Sequence, residues 1–184
     1  MAGVTLSIPW RLRKATSRLA RSQDGAATLE FAIVFPFIMW FFLTVLETGF
    51  VATRIVMLEH GLDMAARQVR LGAPNVSTHE GLKQEVCENA GVLINCERDL
   101  ILEVVEMDLN SAYPQNQANC IDRSGEIDPT ISFTVGGRSR IMFVRACMII
   151  DPLFPSHGLT LGLTRDGTGG LQVVAYTAFM NEPP

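Results

Sequence analysis

Residues 25–54 read GAATLEFAIVFPFIMWFFLTVLETGFVATR, and the fold turns on how they are interpreted. No side chain between residues 31 and 46 is charged, and widening the window to 26–51 adds only Glu30 and Glu47. About 20 apolar residues let a helix cross the hydrocarbon core of a bilayer. This stretch is long enough, and it is apolar on every side, as a helix in lipid should be. A secretory signal peptide is the rival reading, but its apolar core is shorter and is followed by a small-x-small cleavage site. Residues 47–54 (ETGFVATR) offer no such site. Trp40 and the Phe residues around it lie well inside the stretch, so they do not form an interfacial belt.

Upstream, Arg11, Arg13, Lys14, Arg18 and Arg21 face a single acid, Asp24. Basic residues beside a span stay in the cytoplasm, so residues 1–25 are expected to be a cytoplasmic leader and everything past the span to be translocated. The remainder of the chain holds eighteen acids against ten basic residues. Such an acidic domain argues against nucleic acid as a partner.

Downstream, Ile55, Leu58, Leu62, Ala65 or Ala66, and Val69 recur at three- and four-residue steps, one apolar face of a helix. Asp63 and Arg67 form an i,i+4 pair on its other side. Gly72 and Pro74 supply a stop. The expectation is one helix over about 27–71, the span at 26–52 and its continuation packed on a domain of residues 53–184. Pro36 should kink or loosen it one turn earlier, which membrane helices tolerate. Glu47 falls near the outer interface and is expected to be solvated there, with an inter-subunit contact as the alternative.

Beyond the helix, Ser77-Thr78-His79-Glu80 reads as a capping box opening a second helix to about Ala90. Residues 100–109 read as a strand and the polar residues 110–128 as a loop. Ile131, Phe133 and Val135 alternate with polar residues as a half-buried strand. Gly136-Gly137 turns into 140–150, an apolar strand buried on both faces. Residues 151–169 are a loop, and 171–180 form a last strand. The class is α+β, a long helix packed on a mainly antiparallel sheet of about four strands. Glu97, Asp99, Glu103, Glu106 and Asp108 read as a solvated strand face, with a patch for a partner as the alternative.

The segment around Gly25 resembles a known family. Gly25, followed five residues later by Glu30 at the head of a long apolar helix, is similar to the cleavage motif of type IV pilins and pseudopilins. The longer pattern of Gly25, Ala26, Ala27, Glu30, Phe31, Ala32, Pro36, Glu47 and Gly49 resembles the TadE-like proteins of tight-adherence (Flp-type) pilus machines. Residues 173–183 (VVAYTAFMNEP) resemble the C-terminal strand and Asn-Glu-Pro of that family. The resemblance implies a minor pseudopilin in a bacterial inner membrane. Its partners would be a prepilin peptidase that cuts between Gly25 and Ala26, sibling pseudopilins and pilin, and inner-membrane lipid. Phe31 in place of the usual Tyr, and a large domain, set it apart from the major pilin. Glycine leaves the backbone open to a peptidase. Cleavage leaves an ammonium at the helix N-terminus, where the macrodipole disfavours it, and Glu30 lies one turn on, able to offset it in its own chain or a neighbour's. The alternative is an uncleaved single-pass scaffold whose outer domain binds components of the same machine.

Cys87, Cys96, Cys120 and Cys147 all lie beyond the span, and four Cys in an oxidising compartment imply two disulfides. Of three connectivities, Cys87–Cys96 with Cys120–Cys147 is the simplest without nesting. Zinc is not expected, since there is no C-x-x-C and His60, His79 and His157 are scattered. His79-Glu80 lacks the second His of a zincin motif. Gly167-Thr168-Gly169-Gly170 lacks the Lys-Ser/Thr of a phosphate loop and reads as a turn. No nucleophile–base pairing stands out, so neither a catalytic residue, a cofactor nor a small-molecule substrate is expected.

Overall fold

The computed structural model describes residues 25–107, 120, 121, 123, 132–134, 136, 137, 139–154 and 163–181. Residues 1–24, most of the 110–128 loop, Ile131, Val135, Asp108, His157 and the final Glu-Pro-Pro lie outside them. The chain falls into two compact units, residues 1–42 and 43–184.

Helix α1 runs without interruption over Ala26–Arg70 and takes Pro36 within it. Among the described residues of the first unit every side chain is exposed except the half-buried Met39. Among the described residues α1 is the one helix long and apolar enough to cross a membrane. In the second unit the same helix turns amphipathic. Leu58, Leu62, Ala65 and Ala66 are buried, while Glu59, Asp63 and Arg67 face solvent. Each fully buried Leu is worth roughly 1.5–3 kcal/mol, so the outer half of α1 is held by packing.

The helix ends in a Schellman motif: Gly72 N–H donates to the Val69 carbonyl (3.0 Å) and Ala73 N–H to that of Gln68 (3.1 Å). The motif needs a left-handed residue, and Gly72 supplies it at φ +69°. Arg67 and Arg70 in the last turn complement the helix dipole. A 3-10 turn, Pro74–Val76, leads to α2, His79–Ala90. The cap of α2 is Thr78, whose side chain accepts from Gly81 N–H at 3.1 Å. The capping box would put that role on Ser77. Instead Ser77 donates its hydroxyl to the Pro74 carbonyl, closing the preceding turn. A single helical turn, α3 (Cys96–Asp99), precedes the sheet.

The sheet is β1 (Leu100–Met107), β2 (Ile141–Ile150) and β3 (Leu171–Met180), antiparallel throughout and in the order β1-β2-β3. The fourth expected strand reduces to an isolated parallel bridge between Phe133 and Val104. There Val104 N–H donates to the Ser132 carbonyl (2.8 Å) and Thr134 N–H to that of Val104 (3.2 Å). With β2 already on one side of β1, the 132–134 segment is a short edge contact. The α+β class stands, with a three-stranded sheet among the described residues.

Period-two alternation sorts the strands. Leu100, Leu102 and Val104 join Val144, Ala146 and Met148, and Val173 and Ala175, in one core cluster with Val51, Leu58, Leu62, Leu82 and Val86 of the two helices. Strand β2 is buried from Met142 to Ile150. Its second face carries Arg145, salt-bridged to Glu103 opposite it on β1, and Cys147. This corrects the solvated-face reading in part. Glu97 is exposed, but Glu103 pairs with buried Arg145, Glu106 with Arg140 at 3.2 Å, and buried Asp99 with Arg98 at 2.8 Å. Arg145 lies on β2 and Arg140 just before it, out of reach of an alternation pattern read along β1.

Gly61 lies where α1 passes close to α2. A Cβ there would stand 2.5 Å from the Val86 carbonyl oxygen and 3.0 Å from the Ala90 Cβ. At Gly49, on the same helix, a Cβ would meet nothing within 4 Å. Gly61→Ala is therefore expected to lower stability, because overpacking costs about 1–3 kcal/mol and outweighs a ~1 kcal/mol gain in helix propensity. Gly49→Ala should raise stability by up to ~1 kcal/mol. Thermal unfolding of the two variants in detergent checks both signs.

Candidate processing and assembly site

The head of α1 is open. Gly25 is exposed and precedes the first helical residue, Ala26, and its carbonyl accepts the first helical hydrogen bond from Leu29 N–H at 3.0 Å. A Cβ on Gly25 would meet nothing within 4 Å, and its φ is not positive, so the fold itself does not require glycine at this position. Ala26, Glu30 and Phe31 are likewise exposed. Phe31 stacks on Phe35 one turn later, ring centroids 5.0 Å apart. Glu30 is four residues after Ala26, within reach of charge at the helix start.

Glu47 corrects the sequence reading. It is 5% exposed, not solvated. One carboxylate oxygen accepts Leu153 N–H at 3.0 Å and the other Phe154 N–H at 3.1 Å. Two consecutive backbone donors make a small anion-binding concavity, and charge-assisted bonds of this kind offset the loss of water around a buried carboxylate. Only an apolar flank and a family pattern mark Glu47 in the sequence. Its partners lie more than a hundred residues on, and as backbone groups they leave no side-chain signature.

The segment that receives Glu47 is itself held. Arg54 of α1 donates to the Asp151 carbonyl at 2.9 Å. Arg123 binds the Asp151 carboxylate in bidentate fashion (2.6 and 3.0 Å) and reaches buried Asp166 at 3.1 Å. Asp166 also accepts from the Thr168 hydroxyl and from the Thr168 and Gly170 backbone N–H groups. The Arg123 hydrogen bonds hold the Asp151 carboxyl below the usual carboxylate range. For Asp166 burial acts the other way, but the bonds from Thr168, Arg123 and Gly170 outweigh it and the carboxyl is also lowered. The 167–170 turn is thus the backbone that Asp166 organises.

The structure bonds Cys87 to Cys96 (Cα–Cα 5.7 Å), fastening α2 to α3, and Cys120 to Cys147 (5.3 Å), tying the segment of Arg123 to β2. The described residues hold no cluster of three or more potential metal ligands. His79 lies 3.2 Å from the Leu102 carbonyl and edge-on to Phe133, a packing role.

Glu47→Leu is expected to destabilise the domain by about 1–3 kcal/mol for each donor left unpaired. Glu47→Gln, which keeps one acceptor oxygen, should lose roughly half as much; urea midpoints measure both. Asp151 and Asp166 have lowered folded-state pKa values. Their contribution is present above the unfolded value of about 3.9 and is lost as pH falls through the lower folded values. Asp166→Asn should flatten that acid limb of the stability curve, as read by urea unfolding between neutral and strongly acidic pH.

Comparison with known proteins places one segment. Residues 25–67 match the family model described as TadE-like protein. No curated protein and no solved structure matches the chain. The matched segment begins at the open Gly25 and includes Glu30, Glu47 and Gly49. The match covers the head and most of α1, and this segment is similar to TadE-like proteins.

Proposed function

We propose that this protein is a minor pseudopilin that takes part in assembling a tight-adherence (Flp-type) pilus in a bacterial inner membrane, and that a prepilin peptidase cuts it after Gly25. The observation that carries the reading is the coincidence at Gly25. The family match starts there, the helix starts at the next residue, and the fold has no need of glycine at that point. A glycine the fold does not require is what an external enzyme reading bare backbone would select.

The chemistry of the cut follows from the helix. Hydrolysis of the Gly25–Ala26 bond removes the carbonyl that accepts Leu29 N–H and leaves an ammonium at Ala26. That cation sits at the positive end of the helix dipole. The Glu30 carboxylate, one turn on, offsets it in the same chain or in a neighbouring helix, and an acid at a membrane boundary is seldom without such a partner. The five basic residues upstream keep the leader in the cytoplasm with the peptidase. The disulfide-bonded domain then stands in the periplasm, where oxidation is favoured. Sibling pseudopilins and pilin are the partners, and the role is assembly rather than catalysis.

The test is the mature N-terminus, by mass spectrometry, after co-expression with a matching prepilin peptidase. The proposal expects a chain that begins at Ala26. A chain that retains residues 1–25 leaves an uncleaved scaffold in its place. Gly25→Leu should insert but stay unprocessed, and Glu30→Leu should insert but fail to support piliation in a complementation assay. Normal piliation by the Glu30 variant would remove that carboxylate from the assembly step.

A further inference from the structure

Counted from Ala26, the ~20 residues that cover a ~30 Å hydrocarbon layer end near Leu46. The next turns of α1 enter the headgroup region. There, wholly within the second unit, lies a mainly apolar groove of about 480 Å³, in which Val45, Leu46, Phe50, Val92 and Ile94 supply the apolar walls and Thr53 and Arg54 the polar end. Its far wall is the loop between α2 and α3. That loop turns Val92 and Ile94 outward, 52% and 72% exposed, and Cys87–Cys96 braces its base. On a second loop Leu153 is also exposed, while its backbone is held by Glu47. Large side chains turned outward together mark a contact surface.

We propose that the 91–95 loop and Phe50 form a second membrane contact, in which the groove is filled by lipid from the outer leaflet of the membrane that α1 spans. Three observations favour lipid as the occupant. The groove is continuous with the spanning surface, because Val45 and Leu46 belong to both. It stands at the level along α1 where hydrocarbon gives way to headgroups. The charged residue of its lining is a cation, Arg54, at the level of the anionic lipid headgroups, while the walls are apolar. The device resembles an interfacial anchor added to a span. The inference rests on α1 being a membrane span and is independent of processing at Gly25.

The full chain, with both native tryptophans replaced (Trp10→Phe, Trp40→Phe) and Ile94→Trp added, is reconstituted into phosphatidylglycerol and phosphatidylethanolamine vesicles. A fraction of the lipid is brominated near the headgroup end of its acyl chains. The introduced indole is expected to lose emission in brominated vesicles, whereas one introduced at exposed Tyr176 of β3 keeps it. Val92→Trp repeats the measurement should the Ile94 variant fail to form its Cys87–Cys96 bond. Unquenched, red-shifted emission at these loop positions places the loop in water and overturns the proposal. Unquenched, blue-shifted emission means that protein covers the groove, and overturns it equally. A parallel chain carrying only Trp10→Phe reports on the span itself. Quenching of Trp40 without quenching at the loop removes the second contact alone, while an unquenched Trp40 removes the span with it.

Discussion

A buried carboxylate sets where this molecule changes solvent. Glu47 lies on a helix whose inward turns expose Phe, Ile and Val on every side and whose outward turns bury Leu58 and Leu62 in a domain core. A charge at that boundary must be solvated or captured. Here it is captured by the backbone of Leu153 and Phe154, just past the central strand. Asp151, in the same segment, takes Arg54 from the helix and Arg123 from the disulfide-tethered segment. The register of helix against sheet is thereby fixed by specific polar bonds close to the membrane boundary and by apolar packing farther out.

Much of this architecture is legible in the sequence because it rests on local patterns. The apolar run, the change to three- and four-residue periodicity at Ile55, and the Gly72/Pro74 stop delimit α1 to within a residue of the observed Ala26–Arg70. The apolar 141–150, broken only by Arg145, and the run 171–180 likewise mark two of the observed strands. The misreadings share one cause. Whether Glu47, Glu103 or Glu106 is solvated depends on groups that are distant in sequence, so side-chain type alone assigns these acids to water. Phe133 reads as part of a strand by alternation, and among the described residues its pairing with β1 is the single bridge at Val104. The cap fell on Thr78 because Ser77 is drawn into the preceding turn.

The head and the middle of α1 differ in what surrounds their acids. At the head, Gly25 and Glu30 are exposed. At the middle, Glu47 is buried and bound by the backbone of Leu153 and Phe154. The match over residues 25–67 spans both positions.

The central claim is that one continuous helix passes from lipid to protein core at Glu47, and a labelling scan along α1 tests it most directly. All four native cysteines are in disulfides, so single introduced cysteines can carry nitroxide labels, with collision rates to oxygen and to a water-soluble nickel complex measured in bilayers. Lipid-like, oxygen-rich values are expected at the exposed positions through Leu46, then low accessibility to both reagents at Val51, Leu58 and Leu62, with nickel contact rising at Glu59 and Asp63. Nickel contact within residues 31–46, or lipid-like values persisting through Leu58 and Leu62, would contradict that claim.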